Sequence, residues 1–325
     1  MRNMRNLLFL AGFSILISCQ SDSQEVDISS VNRESEFARF DEAFFTTDTG
    51  NFDEELDLLA LDFPEFFSGG RNPVFWKAQR MDELQMELFL KSQKVFREFD
   101  ELNKNLNFSV KHFYYFFPNT PKIKFYAYIS NLDLEYPILY ADSVCFVALD
   151  LYLGPAQPYY QHLPQYIAFY RQPAFLIRDI IYEILKAEVH SLKPGGTLLD
   201  AMIWHGKLLY ATSRMMPQSE EKIIVQYSPE QIDFCQQNER SMWAYFIENN
   251  YLFSTSQDLQ NRFIELAPFS KFRMEFDRET PGMVGRWLGL QIVKAYAESN
   301  PDLSLAEIIA EGDTRKILKL SGYKP

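Results

Sequence analysis

The sequence is short of the residues that build metal centres and disulfide frameworks. Its 325 positions hold three cysteines and four histidines. Three cysteines allow at most one disulfide, Cys145 with Cys235, which is no framework for a chain of this length. The histidines stand at 112, 162, 190 and 205, and no two have the H-x-x-x-H spacing that puts two imidazoles on one helix face. Positive charge is also scarce: 32 lysines and arginines face 44 aspartates and glutamates, a formal charge of −12. With no basic stripe carrying interleaved aromatics, nucleic acid is excluded as a partner. After the first twenty residues no apolar run approaches the ~20 residues that cross a bilayer. What the chain does have is apolar material, 47% hydrophobic and 16% aromatic, enough for a large core in a soluble body.

The first eighteen residues read as an export signal. Arg2 and Arg5 precede the apolar run Leu7 to Ile17, and Leu16-Ile17-Ser18-Cys19 places a small residue directly before a cysteine. That arrangement looks like a lipobox, so Cys19 is expected to carry lipid and to hold the chain on a membrane. Removing residues 1 to 18 takes away two arginines, leaving 30 − 44 = −14. The stretch from Cys19 to Glu36 is polar and acidic and reads as a tether. Neither the membrane nor the face that holds the anchor follows from these residues.

The body, 37 to 325, reads as an α+β fold, predominantly helical with a small mixed sheet. From Phe37 to Phe108, apolar residues recur every three or four positions, including Phe40, Phe44, Phe45, Leu56, Leu59, Phe63, Met81, Leu84, Leu88 and Phe96. These are expected to be helical core positions. Asp62, Glu65, Arg71 and Arg80 among them fit a solvated face and receive no chemistry. Residues 37–120 thus form a helical front part and 121–325 a second part. Ile123 to Ile129 and Val144 to Leu149 are β-prone, so two or three strands are expected. Cys145 lies inside the second run, as a buried thiol would. Gly154-Pro155 then opens a loop with tyrosines at 159, 160, 166 and 170.

A helix is expected from Pro173 to about Leu192, ended by Pro194-Gly195-Gly196. Phe175, Leu176, Ile180, Ile181, Ile184, Leu185 and Val189 form its apolar side, while Arg178, Tyr182, Lys186 and His190 run in one polar row with Asp179 and Glu183 beside them. Thr197 and Asp200 form a capping pair for a second helix carrying Trp204-His205-Gly206-Lys207. Near the end, Gly282, Gly285 and Gly289 fall on one side of a helix and permit close backbone approach. Ser304 with Glu307, and Asp313, are expected to cap two short closing helices.

The order of these pieces resembles the core of the zincin metallopeptidases, with the gluzincin sequence of elements. In that fold one helix carries H-E-x-x-H and the next offers a third ligand before a glycine. Here the window reads Tyr182-Glu183-Ile184-Leu185-Lys186. Tyr182 and Lys186 stand at the two histidine positions, Glu183 at the base position and His205 at the third-ligand position. A protonated lysine has no lone pair to donate. The resemblance therefore implies a degenerate core in the second half, with no metal, no cofactor and no catalytic residue.

Over its whole length the chain resembles the gliding motility lipoprotein GldB family. The carrying residues are the lipobox, Phe40-Asp41, Leu149 to Pro155, and the tail Pro281-Gly282-Met283-Val284-Gly285-Arg286-Trp287-Leu288-Gly289, closed by Ser321-Gly322-Tyr323-Lys324-Pro325. This implies a non-enzymatic cell-envelope lipoprotein of the gliding and type IX secretion machinery. Its partners would be the bilayer, through Cys19, and envelope proteins seated between the Ser143 to Tyr152 strand and the Tyr182 face. Two alternatives stay open: an active metallopeptidase with atypical ligands, and a solute- or peptide-binding lipoprotein that uses the tyrosine-rich loop.

Overall fold

The computed structural model describes residues 26–188, 196–275 and 277–325. Cys19, the signal sequence, the first part of the expected tether and His190 lie outside the described residues. Fourteen α-helices surround one four-stranded sheet among those described, which bears out the α+β, mostly helical expectation.

The sheet has the order β1-β2-β4-β3, with β1 at Phe37–Arg39, β2 at Lys124–Tyr128, β3 at Ile138–Ala141 and β4 at Val144–Ala148. β1 and β4 both run parallel to β2, and β3 is an antiparallel edge. The β3–β4 turn is two residues long, because Asp142 and Ser143 both take positive φ, 49° and 64°, the backbone of a tight hairpin. Two expected strands are present, but the second is shorter than read. It stops at Ala148, and Leu149–Leu151 is a 3-10 turn. The cause is Asp150, fully buried, whose carboxylate accepts from the Ser130 amide at 2.8 Å, the Ser130 hydroxyl at 3.0 Å and the Leu132 amide at 2.7 Å. Reaching that loop turns the chain out of extended geometry.

The front helices are α1 (Phe40–Phe45), α2 (Phe52–Asp62), α3 (Pro73–Arg80), α4 (Glu83–Val95) and α5 (Phe99–Phe116). Phe40, Phe44, Phe45, Leu56, Leu59, Leu88 and Phe96 are buried as expected, but Met81 and Leu84 are 63% and 40% exposed. Both sit at the α3–α4 junction, where the change of helix breaks the periodicity that placed them inside. At the sheet end of the expected tether, the Ser35 amide donates to Asn107 Oδ1, and Asn107 Nδ2 returns a bond to the Ser35 carbonyl. An α5 side chain thereby leads the chain into β1.

Behind the sheet come α6 (Gln165–Ala168), α7 (Leu176–Glu188), α8 (Leu198–Met215), α9 (Glu221–Val225), α10 (Pro229–Glu248), α11 (Gln257–Phe263), α12 (Val284–Ser299), α13 (Leu305–Ala310) and α14 (Thr314–Ser321). The caps fall where the sequence places them: Thr197 and Asp200 bond reciprocally at the start of α8, Ser304 and Glu307 do so at α13, and Asp313 accepts from Lys316 at α14. Within α14, Ile317 is buried but Leu320 is 42% exposed, because the helix ends at Ser321 and its last turn faces outward.

α8 and α12 cross at glycine. A Cβ on Gly289 would stand 1.8 Å from the Met202 carbonyl oxygen, and one on Gly206 would stand 2.3 Å from the carbonyl of Gly289. Gly206, the residue after His205, is thus a packing residue that sets the distance between α8 and α12.

Candidate functional site

Leu176, Ile180, Ile181, Ile184 and Leu185 bury one side of α7 completely, which fixes the helix rotation and directs the row Arg178, Tyr182, Lys186 along the other side. Arg178 is buried: its Nε donates to the Ile224 carbonyl at 2.9 Å, its Nη1 to Asp179 Oδ1 at 2.9 Å, and its guanidinium lies 4.3 Å from the centre of the Tyr182 ring. Asp179 also accepts from the buried Tyr152 hydroxyl at 2.9 Å and from Gln226 Nε2 at 3.0 Å. Burial, then the Asp179 charge, pushes the Tyr152 phenol well above its ordinary value.

The Tyr182 hydroxyl meets His205 Nδ1 at 3.1 Å, so the structure joins these two positions across α7 and α8. Burial, followed by the charges of Arg286, Arg178 and Lys186, holds His205 well below the ordinary imidazole value. It is therefore neutral at pH 7. Glu183 and Lys186 do not join this contact. They pair with each other on the exposed rim, Lys186 Nζ lying 3.0 and 3.2 Å from the two carboxylate oxygens. Among the described residues, no three His, Cys, Asp or Glu side chains converge as a metal site requires. Cys145 and Cys235 are both buried and free.

A family model described as gliding motility protein GldB matches residues 21–325. The chain belongs to the GldB family. It is thereby a gliding motility protein by family membership. No curated protein and no solved structure matches the chain. Among the described residues of this GldB chain, no helix is long and apolar enough to cross a membrane.

β4 lies inside the sheet; edge strand β3 packs on α7, with the Tyr140 hydroxyl donating to Glu188 at 2.8 Å. The tyrosine-rich loop is also tied down: Tyr160 is buried, its hydroxyl donating to the Asp150 carbonyl, and Tyr159 bonds Glu87 at 2.6 Å.

A roomier cleft, about 370 Å³, lies between the front helices and the sheet. Phe40, Phe44, Phe66, Phe75 and Trp76 line one side, with Tyr128, Leu139 and Phe146 on the other. Phe40 stacks on Phe66 with ring centres 3.6 Å apart, and Phe66 meets Phe146 edge-on at 5.0 Å. Two carboxylates, Asp41 and Glu65, also reach it. Asp41 is buried and held by the Arg39 fork at 2.8 and 2.7 Å. For Glu65, burial opposes ionisation, but Lys124, a backbone amide and the Tyr126 hydroxyl outweigh it and hold the carboxyl below its ordinary range. The sequence reading took Phe40 and Phe44 for core and gave Phe66, Phe75 and Trp76 no role. The signal it passed over is composition: residues 40–70 carry nine carboxylates and no lysine or arginine.

Proposed function

We propose that this GldB-family chain serves gliding motility through protein contacts and not through catalysis, as a lipid-anchored envelope component working with the type IX secretion machinery. The observation that carries this reading is the mutual satisfaction of the motif positions: Tyr182 with His205, and Glu183 with Lys186. A zincin-like ancestry accounts for α7 followed by α8 with these residues at the four expected places. A tyrosine hydroxyl and an ammonium group, each already bonded, take over two positions where that fold needs lone pairs.

The contact surface on this reading is the front cleft. Among the described residues, seven of the fifteen exposed large apolar side chains lie between Leu58 and Leu90, an excess that fits a docking face better than scattered surface residues do. The acidic 40–70 stretch supports a partner segment that carries an apolar anchor flanked by lysine or arginine.

The test is Glu183→Gln in cells. Gliding is expected to continue unchanged. Loss of gliding, with the protein still folded and membrane-bound, would overturn the non-catalytic reading. A second reading, a metallopeptidase with atypical ligands, draws on the neutral imidazole of His205 next to Tyr182. About one zinc per purified chain after dialysis would favour it over the first.

A further inference from the structure

The rear of the molecule holds more buried positive charge than its neighbours neutralise. Arg171 is 9% exposed and Arg178 is 8% exposed, in a chain of formal charge −12. The Nε of Arg171 is buried with no partner among the described residues. Arg286, half-buried on α12, donates its Nε to the Ile264 carbonyl at 2.7 Å. Its terminal nitrogens and Arg178 Nη2 have no protein partner among the described residues. The three guanidiniums share surroundings: Arg171 and Arg178 both act on Tyr152, and Arg178 and Arg286 both act on Tyr170 and His205.

The local anions do not cancel this. Asp179 is engaged by Arg178, Tyr152 and Gln226. Asp150 has its oxygens filled by Ser130 and Leu132. Glu183 is paired on the rim with Lys186. With that rim pair set aside, three arginines, 171, 178 and 286, face two aspartates, 150 and 179. Burying a cation without a counter-charge is costly, and a guanidinium fork is shaped for a planar oxyanion.

Between Arg178 and Arg286 lies a partly enclosed cavity of about 50 Å³, lined also by Tyr182, Gln226, Tyr227 and Met283. That is room for roughly four water-sized atoms, which suits a carboxylate and the start of its stem and leaves the remainder of a larger molecule outside. We propose that this cavity is a carboxylate-recognition site, with Arg178 and Arg286 as the paired donors and the bound group completing the charge balance of the rear core. This goes beyond the contact reading and does not depend on it, since charge, burial and cavity shape alone carry it. The carboxylate comes from a peptide C-terminus or from a small organic acid.

The test is a thermal-melting and calorimetric series on the full chain. The probes are acetate, inorganic phosphate, and N-acetyl-tetra-alanine as the free acid and as the C-terminal amide, each at about 10 mM. The free acid is expected to raise Tm where the amide does not, which identifies a peptide terminus. A rise with acetate alone also supports the site and identifies a small acid. Arg286→Gln is expected to weaken the binding about tenfold or more, the loss of one charge-assisted pair. Equal binding of acid and amide, silence from every carboxylate, or a response to phosphate alone would each overturn the proposal. Should Arg286→Gln fail to fold, the acid and amide comparison on the unaltered chain still decides.

Discussion

The two faces of this molecule use aromatic and charged residues in opposite ways. At the front, aromatic rings gather at a cleft, with Phe75 52% and Val74 79% exposed at or beside its rim, and the one fully buried charge, Asp41, is matched by the Arg39 fork. At the rear, α8 and α12 meet through glycine, and two arginines, Arg171 and Arg178, are drawn inside beside the neutral imidazole of His205. A front built this way tolerates change in shape and offers apolar area to a partner. A rear built this way is rigid and tolerates little, and its polar groups act only on what reaches them.

That contrast breaks most directly at glycine. Gly289→Ala would press a methyl group into the Met202 carbonyl oxygen, a backbone atom with nowhere to go. The variant is expected to lose about 3 kcal/mol or more, or to fail to fold. Gly69→Ala in the front meets nothing within 4 Å, and its stability is expected to stay within about 0.5 kcal/mol. Urea melts of the two variants check this. Similar losses in both would remove the distinction between a rigid rear and a permissive front.

A pH series sharpens the same comparison. His205 is held well below its ordinary value in the folded chain, so below pH 6.5 the unfolded chain binds a proton that the folded chain refuses. Stability from this group is complete above 6.5 and falls as the pH drops beneath it, at a limiting slope of about 1.4 kcal/mol per pH unit. His205→Gln is expected to flatten that part of the profile between about pH 7 and about pH 5. An unchanged slope in the variant would mean that His205 is solvated and that the rear is more open than its packing indicates.

How far the sequence reveals these two faces depends on whether the determinant is local. The caps at Thr197, Ser304 and Asp313 are bonds over three residues, and all three are legible. So are β2, β4 and the apolar side of α7, where periodicity and burial agree. β1 is not, because three residues become a strand only by pairing with β2 some ninety positions later. β3 and its turn escape because Asp142-Ser143 lacks the glycine that marks most tight hairpins. Among the candidate site residues, Tyr182 and His205 follow from the order of two helices. The grouping of Arg171, Arg178 and Arg286 does not, since no spacing links residues from three segments. Exposure at the front is equally silent: Met81 and Leu84 continue an apolar spacing in the sequence across a helix break that the spacing does not reveal, and both face solvent.

A small structural effect is expected at the cleft rim, and there the functional effect decides most. Phe75 is half-exposed at the end of an eight-residue helix capped by Asn72, and its ring meets Trp76 edge-on at 5.5 Å. Phe75→Ser removes little buried area, so stability is expected to change by no more than about 1 kcal/mol. Gliding is nevertheless expected to fall sharply if the cleft seats a partner, because a large aromatic ring left half in water is available to become buried in a contact. A folded, correctly localised Phe75→Ser chain that glides normally would move the contact surface away from the front. Should the same cells glide poorly while Glu183→Gln cells glide well, the aromatic front, and not the degenerate motif on α7, carries the motility function.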